Sequence, residues 1–457
     1  MLGLAVMAAL AAVAAPPPQE LTLPMDDGVQ IECGYTPPTI RPLPAPGVML
    51  FHGLGGSHGD LTRIANAFAA DGYATLACDA RGHGASGGLA DIDGPRTIAD
   101  IREEFEWFAR HEADAQRIGA WGISLGGGAV WRSLLQEIPF AAVETAETWT
   151  DLFQALAPQS LPKSGALAQF LGLPTVRFAP SILALKRDAL AGTNLRRIKL
   201  EFADARSSRS ALGRIHTPAL IFQGRRDFAF SLEQGIELYR GLAGPKRLYI
   251  GDFGHAPSRF PGPDINVVVN ESVDWFDLYL RRAPRPKAFR RPVELAPDPF
   301  HGTHAYAGLP PTHTVSFHTH EGSRTIGGAD RVVRALGTTQ RPLETFGSGT
   351  VRVAVTAGRG WMHLVAVLSA RRPDGTTVVV ADGGVPTTPG RRTLSIRLLS
   401  DVTLVPRASK LMLTLAGTSL AQSPSNALYL AGVPSTAQIT IGRATVALPV
   451  LRKTISR

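Results

Sequence analysis

A serine hydroxyl attacks carbonyl carbon usefully only when an imidazole can take its proton, and that imidazole needs a carboxylate to fix its tautomer. Three residues of this chain are placed to supply such a set. Ser124 stands in Gly122-Ile123-Ser124-Leu125-Gly126, directly after the apolar run Arg117-Ile118-Gly119-Ala120-Trp121 and before Gly127, Gly128, Ala129, Val130 and Trp131. A strand turning sharply into a helix would lift the serine side chain out of the sheet, and the flanking glycines would tolerate the crowding. Read without its surroundings, the pentapeptide is also compatible with an ordinary glycine-rich turn.

The partners follow in the chain order nucleophile, acid, histidine. Pro218-Ala219-Leu220-Ile221-Phe222-Gln223-Gly224 reads as a buried strand, with Asp227 in the loop at its end. Lys246-Arg247-Leu248-Tyr249-Ile250 reads as the next strand, and its exit, Gly251-Asp252-Phe253-Gly254-His255, delivers a histidine. Ser124 is therefore expected as nucleophile, His255 as general base and acid, and Asp227 as orienter. Asp252 reads as a turn residue, being only three positions from His255. Upstream, Val48-Met49-Leu50-Phe51 runs into His52-Gly53-Leu54-Gly55-Gly56. A tetrahedral intermediate needs two preorganised N–H donors. The expected pair is Leu125, after the nucleophile, and Leu54, with Gly53 the alternative for Leu54. His52 reads as support for that loop.

Strands and helices must alternate to hold these residues at the ends of parallel strands, and from Glu20 to about Arg282 they do, which is the mark of an α/β sheet covered on both faces. Asp26-Asp27-Gly28 marks an early hairpin between Leu21-Thr22-Leu23 and Val29-Gln30-Ile31-Glu32-Cys33. The alternation breaks over residues 144–215, where Trp149, Phe153, Phe170, Phe178 and Ile182 are punctuated by Pro158, Pro162, Pro174 and Pro180. That segment is too long for a plain loop and reads as a helical cap over Ser124. At its root Glu144, Glu147 and Asp151 could bind a substrate ammonium group, although acidic residues also commonly begin helices.

Residues 283–300 read as a basic, proline-rich linker, with Arg281, Arg282, Arg285, Lys287, Arg290 and Arg291 around Pro284 and Pro286. From 301 to 457 short β-runs separated by turns such as Pro373-Asp374-Gly375 describe an all-β sandwich, expected as a jelly roll. His301, His304, His313, His318 and His320 cluster at its entrance. No cysteine or tight acidic set joins them, so they read as exposed strand ends rather than a metal site, and no cofactor is expected.

A chain of 457 residues that is 44% hydrophobic can build two cores. Of the net charge of +9 much is local, six basic residues from Arg281 to Arg291 falling within eleven positions, and no aromatic-basic pattern for nucleic acid accompanies it. The first fifteen residues are apolar, too short for a membrane span, and end in small residues with Ala12 and Ala14 at cleavage positions. Residues 1–19 are accordingly expected to be a signal peptide and proline-rich start, and the protein to be exported. Cys33 and Cys78 read as two buried thiols, with a bridge open only if their strands are neighbours.

Several of these motifs resemble the Xaa-Pro dipeptidyl-peptidase and cocaine-esterase group of α/β-hydrolases. They are the loop Asp79-Ala80-Arg81-Gly82-His83-Gly84-Ala85-Ser86-Gly87-Gly88, the elbow Trp121-Gly122-Ile123-Ser124, the histidine loop 251–255 and a C-terminal sandwich ending in Leu448-Pro449-Val450-Leu451. The resemblance covers about residues 20–455 and implies an α/β-hydrolase sheet with a helical cap and an attached jelly roll. It further implies acyl transfer through Ser124 on a small ester or short peptide. The sequence departs from the group in having Leu125 where tyrosine is common, Leu54 in an oxyanion loop where the group uses tyrosine, and no extra N-terminal domain. Two alternatives accompany this reading: a carboxylesterase without peptidase activity, and a surface or carbohydrate-binding protein on a relic hydrolase core. The oligomeric state is not legible.

Overall fold

The computed structural model describes residues 17–40 and 43–456. The expected cleavage positions Ala12 and Ala14 lie outside them. No helix among the described residues is long and apolar enough to cross a membrane.

The first strands are β1 (Gln19–Pro24), β2 (Gln30–Thr36), β3 (Ala45–Phe51) and β4 (Ala74–Cys78), followed by β5 (Ala113–Ile123) and β6 (Ala142–Ala146). After the cap come β7 (Ala219–Gly224) and β8 (Lys246–Gly251), then β9 (Val293–Leu295) and β10 (His304–Tyr306). They form one ten-stranded sheet in the order β1-β2-β4-β3-β5-β6-β7-β8-β9-β10. The interior from β4 through β9 is parallel, while the pairs β1–β2, β2–β4 and β9–β10 are antiparallel.

Strand β3 is buried at every position because both its faces are covered. Met49 and Phe51 join the core under helices Pro95–His111 and Leu125–Leu135, and Val48 and Leu50 join the opposite core with Phe68, Trp275 and Phe276. The alternation of side chains along the strand thus builds two hydrophobic layers.

Two expectations change here. The segment 283–300 is more than a linker: β9 adds in parallel to β8, with Ala296 N–H donating to the Ile250 carbonyl (2.9 Å), and β10 follows beyond it. The sandwich strands begin only at Thr312. Cys33 and Cys78 are not free thiols but a disulfide. The order β2-β4 sets them directly opposite each other in the antiparallel register.

The C-terminal region is an antiparallel β-sandwich. One sheet contains Thr312–His318, Arg324–Gly327, Gln438–Leu451, Thr350–Ala357 and Gly390–Arg397. The other contains Arg331–Thr338, Lys410–Ala416, His363–Arg371 and Thr377–Pro386. Val351, Val353, Leu364, Ala366, Leu413 and Ile441 meet in its core. The sandwich is docked on the hydrolase sheet through the loop that follows β7. Arg225 and Glu344 form a fully buried ion pair (2.6 Å), Val402 N–H donates to the Arg225 carbonyl, and Arg226 reaches the Val379 carbonyl (2.9 Å).

Candidate active site

Ser124 occupies the turn between β5 and the helix Leu125–Leu135 with φ 54° and ψ −114°, a conformation that a non-glycine residue holds only under external constraint. The constraint is steric. A Cβ on Gly122 would lie 2.4 Å from the Gly126 carbonyl oxygen, and one on Gly126 would lie 2.2 Å from that of Phe51. The glycines of the pentapeptide are thus required by close backbone approach. Ser124 N–H donates to the Ala146 carbonyl at the end of β6 (2.9 Å), and Gly126 N–H to the His52 carbonyl (3.1 Å), which locks the elbow to the strands beside it.

The structure brings the three sequence-derived partners together. Ser124 Oγ lies 3.0 Å from His255 Nε2, and His255 Nδ1 lies 2.7 Å from Asp227 Oδ2. Asp227 is completely buried and also accepts from two backbone N–H groups, that of Phe230 at Oδ1 (2.8 Å) and that of His255 at Oδ2 (3.2 Å). Acceptors so satisfied hold the carboxylate in one orientation. Burial works against an imidazolium at His255, but the Asp227 carboxylate, and after it Glu147, outweigh burial and hold the imidazole above its ordinary range.

Glu147 is the residue whose place the sequence did not show. It follows β6 with φ 53°, is almost wholly buried, and sets Oε2 3.9 Å from His255 Nδ1. Among the described residues its Oε1 has no hydrogen-bond partner. Burial pushes its carboxyl upward, with the Asp227 charge adding to the shift and His255 opposing it. The imidazole ring is further boxed by Phe230 and Phe170, edge-on at centroid distances of 5.2 and 6.1 Å. Behind the acid, fully buried Lys163 donates to the carbonyls of Phe228 (2.6 Å) and Ala229 (2.9 Å), the two residues after Asp227. Burial pulls its ammonium down to about 7.

The expected ammonium-binding set is not assembled. Glu144 is fully buried in β6 and accepts from Ser272 Oγ (2.8 Å) of helix Ile265–Leu280. This places it under a covering helix. Asp151 caps the helix Leu152–Leu156 by accepting from Gln154 N–H (2.9 Å) and faces Arg209 at 3.6 Å. Glu147 is turned to His255. None of the three lines the cavity above Ser124. Asp252 takes no part in the Ser124–His255–Asp227 hydrogen bonds, and its N–H donates to Asp264 Oδ2 (3.1 Å).

Leu54 and Leu125 both border that cavity beside Ser124. His52 is buried, contacts the Gly53 carbonyl through Nδ1 (2.7 Å) and accepts from Ala80 N–H at Nε2 (2.9 Å), tying the Leu54 loop to the loop after β4. Among the histidines at the sandwich entrance, His301 Nδ1 meets the Pro299 carbonyl and His318 Nδ1 meets Thr445 Oγ1. Among the described residues the one cluster of three or more potential metal ligands is Glu147, Asp227 and His255. Its histidine is already committed on both ring nitrogens.

A parallel sheet with a serine elbow, a carboxylate after β7 and a histidine after β8 is the α/β-hydrolase architecture. The chain matches the X-Pro dipeptidyl-peptidase (S15) family over residues 27–257, just over half its length, and it belongs to that family. It is 34% identical over 141 residues to the quorum-quenching protein AidA of Acinetobacter baumannii strain MDR-ZJ06, a match spanning 28% of this chain and 44% of that protein. The chain thus spans less than half the length of that curated relative. In fold it is similar to a CocE/NonD family hydrolase from Staphylococcus aureus, with a TM-score of 0.72 at 15% identity over 95% of this chain and 93% of that one. It is also similar to an α-amino acid ester hydrolase, with a TM-score of 0.71 at 13% identity over 96% and 97%. These likenesses carry the whole two-part arrangement, hydrolase sheet and sandwich together.

Proposed function

We propose that this protein is an exported serine hydrolase that cleaves an ester through an acyl-Ser124 intermediate. The single observation that carries the reading is the continuous hydrogen-bond line Ser124 Oγ, His255, Asp227, at 3.0 and 2.7 Å. Ser124 Oγ bonds to the substrate carbonyl carbon while its proton passes to His255 Nε2. The oxyanion so formed takes the N–H groups of Leu54 and Leu125. Collapse of the intermediate breaks the carbon–oxygen bond to the leaving alcohol, which takes the proton from His255. Water, deprotonated by the same nitrogen, then releases the acid and regenerates the serine. Asp227 holds Nδ1–H throughout.

An ester without a free amine fits better than a dipeptide. Recognition of a substrate ammonium in a dry pocket needs an available carboxylate, because an unpaired buried charge is strongly disfavoured. Glu144 and Asp151 are engaged elsewhere, and Glu147, although its Oε1 is unpartnered among the described residues, does not line the cavity above Ser124. Export is supported by the apolar N-terminal run with its small residues at Ala12 and Ala14, and by the Cys33–Cys78 disulfide, a bond that persists in oxidising compartments. Comparing kcat/KM for p-nitrophenyl butyrate and Gly-Pro-p-nitroanilide tests the substrate reading. The ester should be preferred, and efficient anilide cleavage with negligible ester turnover would contradict it.

A further inference from the structure

The cap does more than cover Ser124. A cavity of about 130 Å³ opens beside the nucleophile and runs up between the cap helices. Leu54, Trp149, Phe153, Phe178, Ile182 and Leu195 form part of its wall. Among the described residues its one ionisable wall residue is Lys186, whose ammonium donates to the Leu171 carbonyl (2.9 Å). A chamber whose wall is almost wholly apolar selects an apolar group, since a polar one would lose its water with few partners to gain.

The side on which the chamber lies decides which half of the ester enters it. The leaving oxygen must collect its proton from His255 Nε2, so the leaving group projects toward the imidazole. Ser124 and both expected oxyanion donors, Leu54 and Leu125, line the chamber, as do Phe170 and Phe230, which pack against the His255 ring. A chamber that opens at Ser124 itself is within reach of the acyl group, which stays bonded to Ser124 Oγ after the alcohol has left. We infer that it is an acyl-chain pocket, and that the substrates are esters of uncharged aliphatic acids of about six carbons. The length follows from volume, because an apolar protein cavity of about 150 Å³ accommodates a six-carbon ring. This assignment rests on the serine-hydrolase reading above and specifies its substrate class.

The test is a chain-length series of p-nitrophenyl esters from acetate to dodecanoate, read as kcat/KM. Each added methylene buried in the chamber should raise kcat/KM roughly fourfold. Hexanoate should thus exceed acetate by on the order of 10²-fold, with decline at dodecanoate. Ile182→Trp narrows one wall and Leu195→Phe another, and each should lower the hexanoate-to-acetate ratio at least tenfold. A ratio is insensitive to the fraction of folded enzyme, so a partly unfolded variant still reports. A flat or acetate-preferring series in the native protein would overturn the acyl-pocket assignment while leaving the hydrolase reading intact. So would an unchanged ratio in both variants. Absence of Ser124-dependent turnover on every ester would instead remove the hydrolase reading itself.

Discussion

Replacing Asp227 by Asn tests how the acid works, because the side chain keeps its size and its two environments are known. Asp227 Oδ2 faces two donors on His255, the backbone N–H and Nδ1–H, and Oδ1 faces Phe230 N–H. An amide has one accepting end. If its oxygen stays on Phe230, its NH₂ confronts His255, Nδ1 must give up its proton, and Nε2 then carries one toward Ser124. A protonated Nε2 cannot accept from the serine. If the amide flips, two N–H groups meet at Phe230 in a fully buried site, which costs about 1–3 kcal/mol and perturbs the loop. The first outcome corresponds to a loss of about 10⁴ in kcat, or about 5.4 kcal/mol of transition-state stabilisation. Glu147 modifies this figure, since its carboxyl sits 3.9 Å from the same nitrogen and can partly restore the tautomer. Asp227→Asn is thus expected to lose about 10³ to 10⁴ in kcat on p-nitrophenyl butyrate, and Asp227→Asn/Glu147→Gln to lose more than the single variant. Glu144→Gln should leave kcat within a few fold. A mild Asp227→Asn, together with a crippled Glu144→Gln, would refute the assignment of the acid.

Further outcomes follow from the same geometry. Because neighbouring carboxylates hold His255 above its ordinary range, the imidazolium persists to higher pH, so kcat/KM should rise with pH along a limb displaced to the alkaline side of 6.5; Glu147→Gln removes one raising neighbour and should move that limb toward lower pH. A limb that stays fixed would show that Glu147 does not interact with the base. Glu344→Ala leaves the buried Arg225 guanidinium unpaired two residues before Asp227, and should cost about 3–5 kcal/mol in urea unfolding, with reduced kcat. Replacing Cys33 and Cys78 by Ala releases a loop whose ends are 45 residues apart, with an expected loss of up to about 4 kcal/mol and a lower Tm.

What was legible in the sequence was whatever is encoded locally. The elbow glycines announce themselves because backbone crowding at Ser124 excludes any other residue there. Asp227 and His255 could be found because each lies just past a run of apolar residues long enough to read as a strand. Glu147 could not be chosen over Glu144 by the same means. The two lie three residues apart at the end of β6, and which one faces the imidazole depends on the strand's exit angle and on neighbours more than 70 residues away. Lys163 carries no motif, and its contact with the Asp227 loop exists only once the cap is folded. The Cys33–Cys78 bridge required knowing that β2 pairs with β4 rather than with its chain neighbour β3. Strands β9 and β10 have three residues each, too few for a periodic pattern, and the surrounding prolines and arginines gave the segment the look of a linker.

The most direct measurement of the central claim is covalent capture of the nucleophile. The native protein treated with a fluorophosphonate should gain one adduct mass, and peptide mapping should place it on Ser124. Ser124→Ala should take no label and lose ester turnover by about 10⁴-fold or more. Labelling at another serine, or undiminished turnover in Ser124→Ala, would contradict the account at its root.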